Sequence, residues 1–342
     1  MKRLTNKTED YRFIYPINEW IKIPFNNNAP PQRVILRVDA GKRYGLSFGH
    51  LSRCFIIAKS FEKVFSSECF FLMKDLKDGV QHALLAGVKV KILPTKKENL
   101  FIREVVANFQ PDCIVVDLPY PNEDFSFFVA LKNEFHIKLF IIDDNRYINP
   151  GADIFLNSNI LANQKVKKCN FDKTLYFLGP QYFIFDETLI DNSCPILNNS
   201  FFNIVLSFGG ADPTDLMLKV VNNLLQITHQ SIKYYAILGP GYSKQTILYE
   251  IIHKACNFYI INNPKNIIPF FYSCSFVICA GGRTMYELLY LNKSFMPIAS
   301  APHEASAISE LMENKLIKFG MKQWNSKMFL KNMRIVLAKI GI

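Results

Sequence analysis

The chain has 342 residues, of which 49% are hydrophobic and 20% charged, so it is long enough for two ordinary domains and too apolar for wholesale disorder. Its formal net charge of +11 suits an anionic partner, but the lysines are scattered and no nucleic-acid-binding motif occurs, which argues against a nucleic-acid arm. The eight cysteines form no CxxC pair and no Cys/His spacing typical of a metal site, so we expect free thiols and no metal.

The apolar segments of the sequence bear on the cellular compartment of the protein. The amino terminus, MKRLTNKTEDYRF, lacks the apolar core of a signal peptide. No window approaches the roughly 18 apolar residues of a membrane-spanning helix. We therefore expect a reduced, cytoplasmic protein.

The first half of the chain alternates strand and helix after an irregular start. Residues 1–32 form no convincing element, because prolines interrupt them, and we expect an extension laid on the first domain. Apolar runs predict strands at 34–38, 70–73, 88–93, 112–118 and 137–143, with a short edge strand at 152–159. Amphipathic spacing predicts helices from Gly49 and over 76–86, 99–109 and 123–135. This order indicates parallel βαβ units.

A second alternating set follows a polar, irregular stretch at 160–200. Strands are predicted at 202–208, 233–239, 257–261, 275–280 and 294–298. Helices are predicted at 214–227, 243–255, 264–272, 283–291, 303–313 and 324–340. We therefore predict the α/β class with two Rossmann-like, doubly wound domains facing a cleft: an extension (1–32), an N-terminal domain (33–180), a linker (181–200) and a C-terminal domain (201–342).

The stretch from Val34 to Cys54 combines a buried strand, a glycine loop and a helix start. This geometry presents free backbone N–H groups to an anion at the carboxyl end of a strand, where open α/β sheets place their chemistry. We predict His50 as the catalytic base, because a helix N-terminus disfavours the imidazolium. The substrate-binding candidates are Asp39, Gly45, Gly49 and Arg53. The alternative is that the glycines only turn the chain and that His50 caps the helix.

Two further glycine turns lie at strand ends in the second half. Gly209 and Gly210 are substrate-binding candidates, because they allow close backbone approach and precede a helix N-terminus that offers an anion site. In the structural alternative, Asp212 at this helix start is an ordinary N-cap. Gly281 and Gly282 precede a helix that carries Glu287 one turn in, where it could reach a ribose diol. The alternative for a single helical glutamate is solvent exposure. His303 and Glu304 begin another helix after a strand.

Several of these motifs together resemble one family. They are VDAGKRYGLSFGHLSRC (38–54), IIDDNRYINPGADIFLNSN (141–159), FLGPQYFIF (177–185), LSFGGADPTD (206–215), CAGGRTMYELLYL (279–291) and PHEASA (302–307). Their order and spacing are similar to those of the UDP-2,4-diacetamido-2,4,6-trideoxy-β-L-altropyranose hydrolases of pseudaminic acid biosynthesis, which belong to the GT-B-type superfamily. The similarity covers about residues 33–320.

The resemblance implies a metal-independent, inverting hydrolysis of a UDP-sugar without a cofactor. His50 would activate the water, and Glu287 would bind the ribose. Phosphate would be held by the turn and helix start at 278–284, with Arg283 and Thr284, and the diphosphate would lie near His303 and Glu304. The family's Asp-x-Tyr motif matches Asp117 and Tyr120 with one extra residue, so Tyr120 is a catalytic candidate at the sugar.

Three hypotheses stay open at this point. The first is a nucleotide-sugar hydrolase that releases a free diacetamido sugar for nonulosonate synthesis. The second is a glycosyltransferase of surface glycan assembly on the same scaffold, which would associate weakly with a membrane surface. The third is a catalytically idle sugar-nucleotide-binding protein. None of them implies a nucleic-acid partner, and the oligomeric state is not specified.

Overall fold

The computed structural model describes residues 14–25, 29–41, 48–120, 124–144, 147–167, 173–185, 197–198, 200–253, 255–338 and 341. The described residues fall into two compact units, 14–185 and 197–341. Each unit is built on one sheet in which every strand pairing is parallel.

The first unit contains a seven-stranded sheet. Its strands are β1 (Arg33–Val38), β2 (Glu68–Lys74), β3 (Val90–Leu93), β4 (Cys113–Asp117), β5 (Lys138–Ile142), β6 (Ile154–Asn157) and β7 (Leu175–Leu178). Its helices are α1 (Ile17–Trp20), α2 (Gly49–Phe65), α3 (Lys77–Leu85), α4 (Glu98–Phe109), α5 (Ser126–Phe135) and α6 (Ala162–Lys165). The strand order is β3-β2-β1-β4-β5-β6-β7, so the order reverses between β1 and β4.

Alternate residues of β1 show that helices cover both faces of this sheet. Val34, Leu36 and Val38 belong to one buried cluster, which also contains the apolar side of α2. Ile35 belongs to a second cluster with buried residues of α4 and α5. Successive strand side chains point to opposite faces, so a strand buried on both sides must be apolar throughout, as β1 nearly is. The predicted doubly wound arrangement is confirmed for this unit.

The prediction of an edge strand at 152–159 is wrong. β6 pairs with β5 on one side and with β7 on the other. β7 was missed because it has only four residues and begins with an exposed leucine, Leu175, so its apolar pattern is short. The stretch at 160–185, predicted to be irregular, instead contributes α6, β7 and the 3-10 turn Pro180–Tyr182 to the first unit.

Residues 14–25 pack on the first unit although no element is predicted there. Pro16 stands at the N-cap of the one-turn helix α1, a position outside the helical hydrogen bonds, so it does not break the helix. The Trp20 ring lies 4.6 Å from the Phe177 ring, centroid to centroid. Ile21 and Phe25 belong to the same buried cluster.

The second unit contains a five-stranded sheet in the order β10-β9-β8-β11-β12, which reverses between β8 and β11. Its strands are β8 (Phe202–Ser207), β9 (Ile232–Leu238), β10 (Phe258–Asn262), β11 (Phe276–Ala280) and β12 (Phe295–Ile298). Its helices are α7 (Leu216–Leu224), α8 (Gln245–Ile252), α9 (Ile268–Ser273), α10 (Arg283–Tyr290), α11 (Pro302–Glu313) and α12 (Ser326–Ala338). Each of these elements lies within four residues of its predicted bounds, and the largest difference is the start of α9. Across the described ranges, no helix is both long enough and apolar enough to span a bilayer.

Candidate functional site

The first unit gathers charged side chains at the carboxyl ends of neighbouring strands. His50 and Arg53 lie one helical turn apart near the start of α2, which puts them on one face of that helix. Asp117 is the last residue of β4, and Asp144 follows β5. β1, which leads into α2, pairs directly with β4, and this adjacency brings the α2 side chains to Asp117.

His50 and Asp117 form a close pair. Nδ1 of His50 lies 2.6 Å from Oδ1 of Asp117. A carboxylate only accepts hydrogen bonds, so Nδ1 carries the proton and Nε2 of a neutral ring carries the lone pair. The His50 side chain is 23% exposed, whereas that of Asp117 is fully buried. This arrangement fixes the orientation of a partly accessible imidazole.

Arg53 holds the carboxylate that orients His50. Its Nε and Nη2 each donate to Asp117 at 2.7 Å, one to each carboxylate oxygen. Its Nη1 donates to Oδ2 of Asp144. The other oxygen of Asp144 accepts from the backbone N–H and the hydroxyl of Ser158, both at 2.9 Å. We call these five residues, His50, Arg53, Asp117, Asp144 and Ser158, the histidine cluster.

The cluster keeps both aspartates ionised. Burial alone would raise the pKa of Asp117, but the charges of Arg53 and His50 and their hydrogen bonds outweigh burial and hold that pKa below its ordinary value. Burial opposes ionisation of Asp144 as well, and Arg53 again lowers the pKa below its ordinary value. Asp117 therefore orients His50 as an acceptor throughout the neutral range.

Asp39 lies in a second, separate network in the same unit. Its buried carboxylate accepts from Nη1 and Nη2 of Arg37 at 2.7 and 2.8 Å, from the Lys74 N–H at 2.8 Å and from the Tyr120 hydroxyl at 3.0 Å. The Lys74 ammonium lies 4.9 Å from the centre of the Tyr120 ring. Glu98 completes the network by accepting from Arg37 at 3.0 Å. Asp39 thus uses its acceptor positions within the protein and fixes Tyr120.

The sequence predictions for the first unit are placed as follows. His50, Gly49 and Arg53 lie together at the start of α2, while Asp39 and Tyr120 share the second network. Gly45 lies outside the described residues. Their substrate-binding and catalytic roles stay predictions. Sequence reasoning assigned no site role to Arg37, Lys74, Glu98, Asp144 and Ser158. It named Asp117 only as a match to the Asp-x-Tyr motif and not as the partner of His50, although a carboxylate at the end of a buried strand was the available signal.

In the second unit, the turn between β11 and α10 packs closely against α11. A methyl group on Gly281 would lie 2.8 Å from Cβ of Glu304 and 3.0 Å from Cδ1 of Ile308. One on Gly282 would lie 3.3 Å from Oε1 of Glu304. The glycines therefore allow the start of α11 to approach the start of α10.

This turn concentrates acidic groups beside a helix N-terminus. Oε2 of Glu304 accepts from the backbone N–H and hydroxyl of Ser300 at 2.7 and 2.8 Å. Glu287 is buried, one turn into α10, with an oxygen 4.0 Å from Nη2 of Arg283. The pKa of the Cys279 thiol lies well above its ordinary value, raised mainly by burial and then by the charges of Glu304 and Glu287. Both carboxylates thus lie within electrostatic reach of the end of β11.

The remaining predicted residues of this region differ in exposure. Arg283 and Thr284 are half-buried in the first turn of α10, and His303 is exposed in the first turn of α11. The alternative that Glu287 is a solvent-exposed helix residue is wrong, because its side chain is buried. Its binding role, and those of Arg283, Thr284, His303 and Glu304, stay predictions.

At the turn after β8, the carboxylate of Asp212 binds N–H groups at the start of α7. The two carboxylate oxygens of Asp212 accept from the N–H groups of Leu216 and Met217, at 2.9 and 2.8 Å, and so cap α7. Gly209 has a φ of +76°, which glycine adopts without strain. Gly210 accepts from the Gly241 N–H at 2.6 Å. The N-cap residue of α7 is Asp215, so the N-cap alternative is wrong for Asp212, which instead caps the helix from three residues further upstream. Substrate binding by Gly209 and Gly210 stays a prediction.

Replacing Asp212 with alanine tests this cap. We expect the free energy of unfolding to fall by about 1–2 kcal/mol, because two N–H groups of α7 lose their acceptor. We expect the affinity for UDP to stay unchanged. Chemical denaturation and calorimetric titration would measure the two quantities, and a large loss of UDP affinity would show that the cap also serves a ligand.

Sequence similarity to known proteins is limited. No protein-family model matches the chain. An uncharacterized protein of Methanocaldococcus jannaschii is 29% identical over 259 residues, covering 72% of this chain. The match spans about half, 51%, of that relative's length.

Two solved structures share the fold over about nine tenths of the chain at low identity. HepE of Anabaena in complex with UDP-glucose is 12% identical, covers 90% of each chain and has a TM-score of 0.57. The spinosyn rhamnosyltransferase SpnG complexed with thymidine diphosphate is 11% identical, covers 89% of this chain and 91% of its own, and has a TM-score of 0.62. Together with the two parallel sheets, these likenesses show that the chain has the GT-B-type fold.

Proposed function

We propose that the chain is a nucleotide-sugar hydrolase that cleaves the anomeric C–O bond of a UDP-linked 2,4-diacetamido-2,4,6-trideoxy hexose with inversion. Its products would be UDP and the free sugar, for use in nonulosonate biosynthesis. The observation that carries the proposal is the contact of 2.6 Å between Nδ1 of His50 and the buried carboxylate of Asp117. The motif resemblance supports the substrate class.

The proposed reaction is a single displacement. Nε2 of His50 takes a proton from water while the water oxygen forms a bond to the anomeric carbon. The anomeric C–O bond breaks, and its electron pair leaves with the β-phosphate of UDP. One displacement inverts the configuration. UDP leaves as an anion, so N–H donors and cations stabilise it without a proton donor.

Charge balance within the histidine cluster favours this role. With a neutral His50, the two aspartates and the one arginine leave one excess negative charge. That charge is balanced when His50 takes a proton, so the cluster stabilises the imidazolium that forms in the transition state.

The second unit is proposed to bind UDP. The N-terminus of α10 would meet phosphate through its N–H groups, with Arg283 and Thr284 beside them. Glu287, one turn further on, would accept hydrogen bonds from the two ribose hydroxyls. The UDP-glucose bound to HepE supports a ligand of this class.

Replacing Glu287 with alanine tests the ribose contact. We expect UDP affinity to fall by about 10-fold to 100-fold, because hydrogen bonds to a charged acceptor are lost. Titration calorimetry with UDP measures the effect, and Glu313→Ala, at the exposed C-terminal end of α11, is the control. Equal UDP affinity in wild type and the Glu287 variant would remove Glu287 from the site.

A glycosyltransferase is the second candidate. SpnG, a rhamnosyltransferase, has the same fold. The His50–Asp117 pair could activate an acceptor hydroxyl as readily as water, because both nucleophiles give up a proton to a base.

An NMR time course separates the two candidates. Purified protein is mixed with a panel of UDP-linked diacetamido-trideoxy hexoses without acceptor or added metal. Release of UDP and of a free sugar with the inverted anomer at enzyme-like rates supports the hydrolase. Tight binding of the UDP-sugar without release supports the transferase.

A further inference from the structure

Arg53 is buried, and most of its N–H groups are engaged within the protein. Three of its five N–H groups donate to Asp117 and Asp144. The residue is 5% exposed. Substrate binding through these three N–H groups, the role predicted from the sequence, would break the ion pairs of Arg53 with the buried Asp117 and the partly exposed Asp144.

The contacts of Arg53 instead fix the orientation of His50. Oδ1 of Asp117 receives both the His50 Nδ1–H, at 2.6 Å, and the Arg53 Nη2–H, at 2.7 Å. The second donor, Nε on Oδ2, prevents the carboxylate from rotating. His50 therefore points where the guanidinium sets Asp117.

The chain of contacts extends beyond Asp117 to a third strand. Arg53 also binds Asp144, and Asp144 accepts two hydrogen bonds from Ser158, which is 2% exposed. Ser158 directly follows β6, Asp144 follows β5 and Asp117 ends β4. The carboxyl ends of three adjacent strands are thereby joined through one guanidinium.

We propose that Arg53 is a positioning residue that, supported by Asp144 and Ser158, holds Asp117 and through it fixes the tautomer and direction of His50. This inference rests on the proposed function for the role of His50 as base. Arg53 itself does not touch the substrate. Ser158 is the member of the histidine cluster that lies furthest along this chain of contacts from His50.

Arg53→Lys separates charge from geometry. Lysine keeps the positive charge, but one ammonium cannot grip both oxygens of Asp117 and also reach Asp144. We expect kcat to fall by about 100-fold, as for a misplaced catalytic group, with KM and UDP affinity unchanged. Ser158→Ala removes one donor to Asp144, and we expect a loss in kcat of about fivefold, again without a change in KM.

Ser60→Ala is the matched control for Ser158. Ser60 is also a buried serine, but its hydroxyl donates to the Ile56 carbonyl within α2. We expect its kcat to equal that of the wild type. A raised KM with normal kcat in Arg53→Lys would overturn the proposal, because it would make Arg53 a substrate contact.

A second measurement does not depend on turnover. Proton–nitrogen NMR of histidine-labelled protein, with the His50 signal assigned by loss in His50→Gln, reports which ring nitrogen carries the proton. We expect a protonated Nδ1 in the wild type and a mixture of tautomers in Arg53→Lys. An unchanged His50 signal in that variant refutes the positioning role. Absence of turnover in the wild type with the expected signals refutes only the proposed function.

Discussion

Replacing His50 with alanine is expected to lower kcat for UDP-sugar hydrolysis by about 100-fold to 10,000-fold, the contribution of a positioned general base. UDP affinity should stay near that of the wild type, because the proposed nucleotide contacts lie in the second unit. The fold should persist, since Arg53 still pairs with both oxygens of Asp117 after the ring is removed. Initial rates from the NMR assay and calorimetric titration with UDP measure the two effects.

His136→Asn is the matched control for His50→Ala. His136 also lies in the first unit, at the end of α5, and has a φ of +55°, which asparagine tolerates well. Its kcat should equal that of the wild type. If His50→Ala instead lost UDP affinity in proportion to its rate, His50 would be a ligand contact, and the base would have to be sought elsewhere.

Local patterns in the sequence were sufficient for most of the fold. The start of α2 at Gly49 and the largely apolar core strands follow from spacing and branched residues. β7 could not be found in this way, because four residues with an exposed first leucine do not stand out from a loop. Its place is set by pairing with β6, a tertiary effect that local propensity does not contain.

The candidate site was predictable only in part, for a topological reason. His50 was found from the glycine loop and helix start that surround it. Its partner Asp117 lies 67 residues away, and the two meet because β1 and β4 are neighbours in the sheet. The spacing of apolar residues does not reveal the order of the strands in the sheet. A pattern that places Asp117 at a strand end therefore does not predict which helix Asp117 faces. The same holds for Asp144 and Ser158, which reach Arg53 from the ends of β5 and β6.

Asp117→Asn is expected to reduce both activity and stability. Oδ1 of Asp117 accepts from His50 and Arg53, and Oδ2 accepts from Arg53 and, at 3.8 Å, from the Cys54 thiol, whereas asparagine has one oxygen and one NH₂ group. If the NH₂ group faces His50, the ring proton must move to Nε2 and block the base. If it faces Arg53, two donors meet in a buried site. We expect kcat to fall by about 10,000-fold, the loss seen when a catalytic histidine takes the wrong tautomer.

The stability effect of Asp117→Asn comes from the buried arginine. Loss of one carboxylate leaves Arg53 with only Asp144 as a charged partner, and breaking a buried pair costs about 3–5 kcal/mol in the free energy of unfolding. Denaturant unfolding at pH 7 measures this loss. Because burial is outweighed by Arg53 and His50, the pKa of Asp117 is lower in the folded chain than in the unfolded chain.

The depressed pKa makes the stability difference depend on pH in a defined direction. The contribution of the Asp117 carboxylate is fully present above its ordinary pKa, about 3.9, and is lost as pH falls toward the folded-state value. The gap in unfolding free energy between wild type and Asp117→Asn should therefore narrow as pH falls below about 4. Asp112→Asn, the same substitution at the exposed amino end of β4, is the control. A gap that did not narrow below about pH 4 would contradict a lowered pKa of Asp117 in the folded chain, and with it the ionised carboxylate that orients His50.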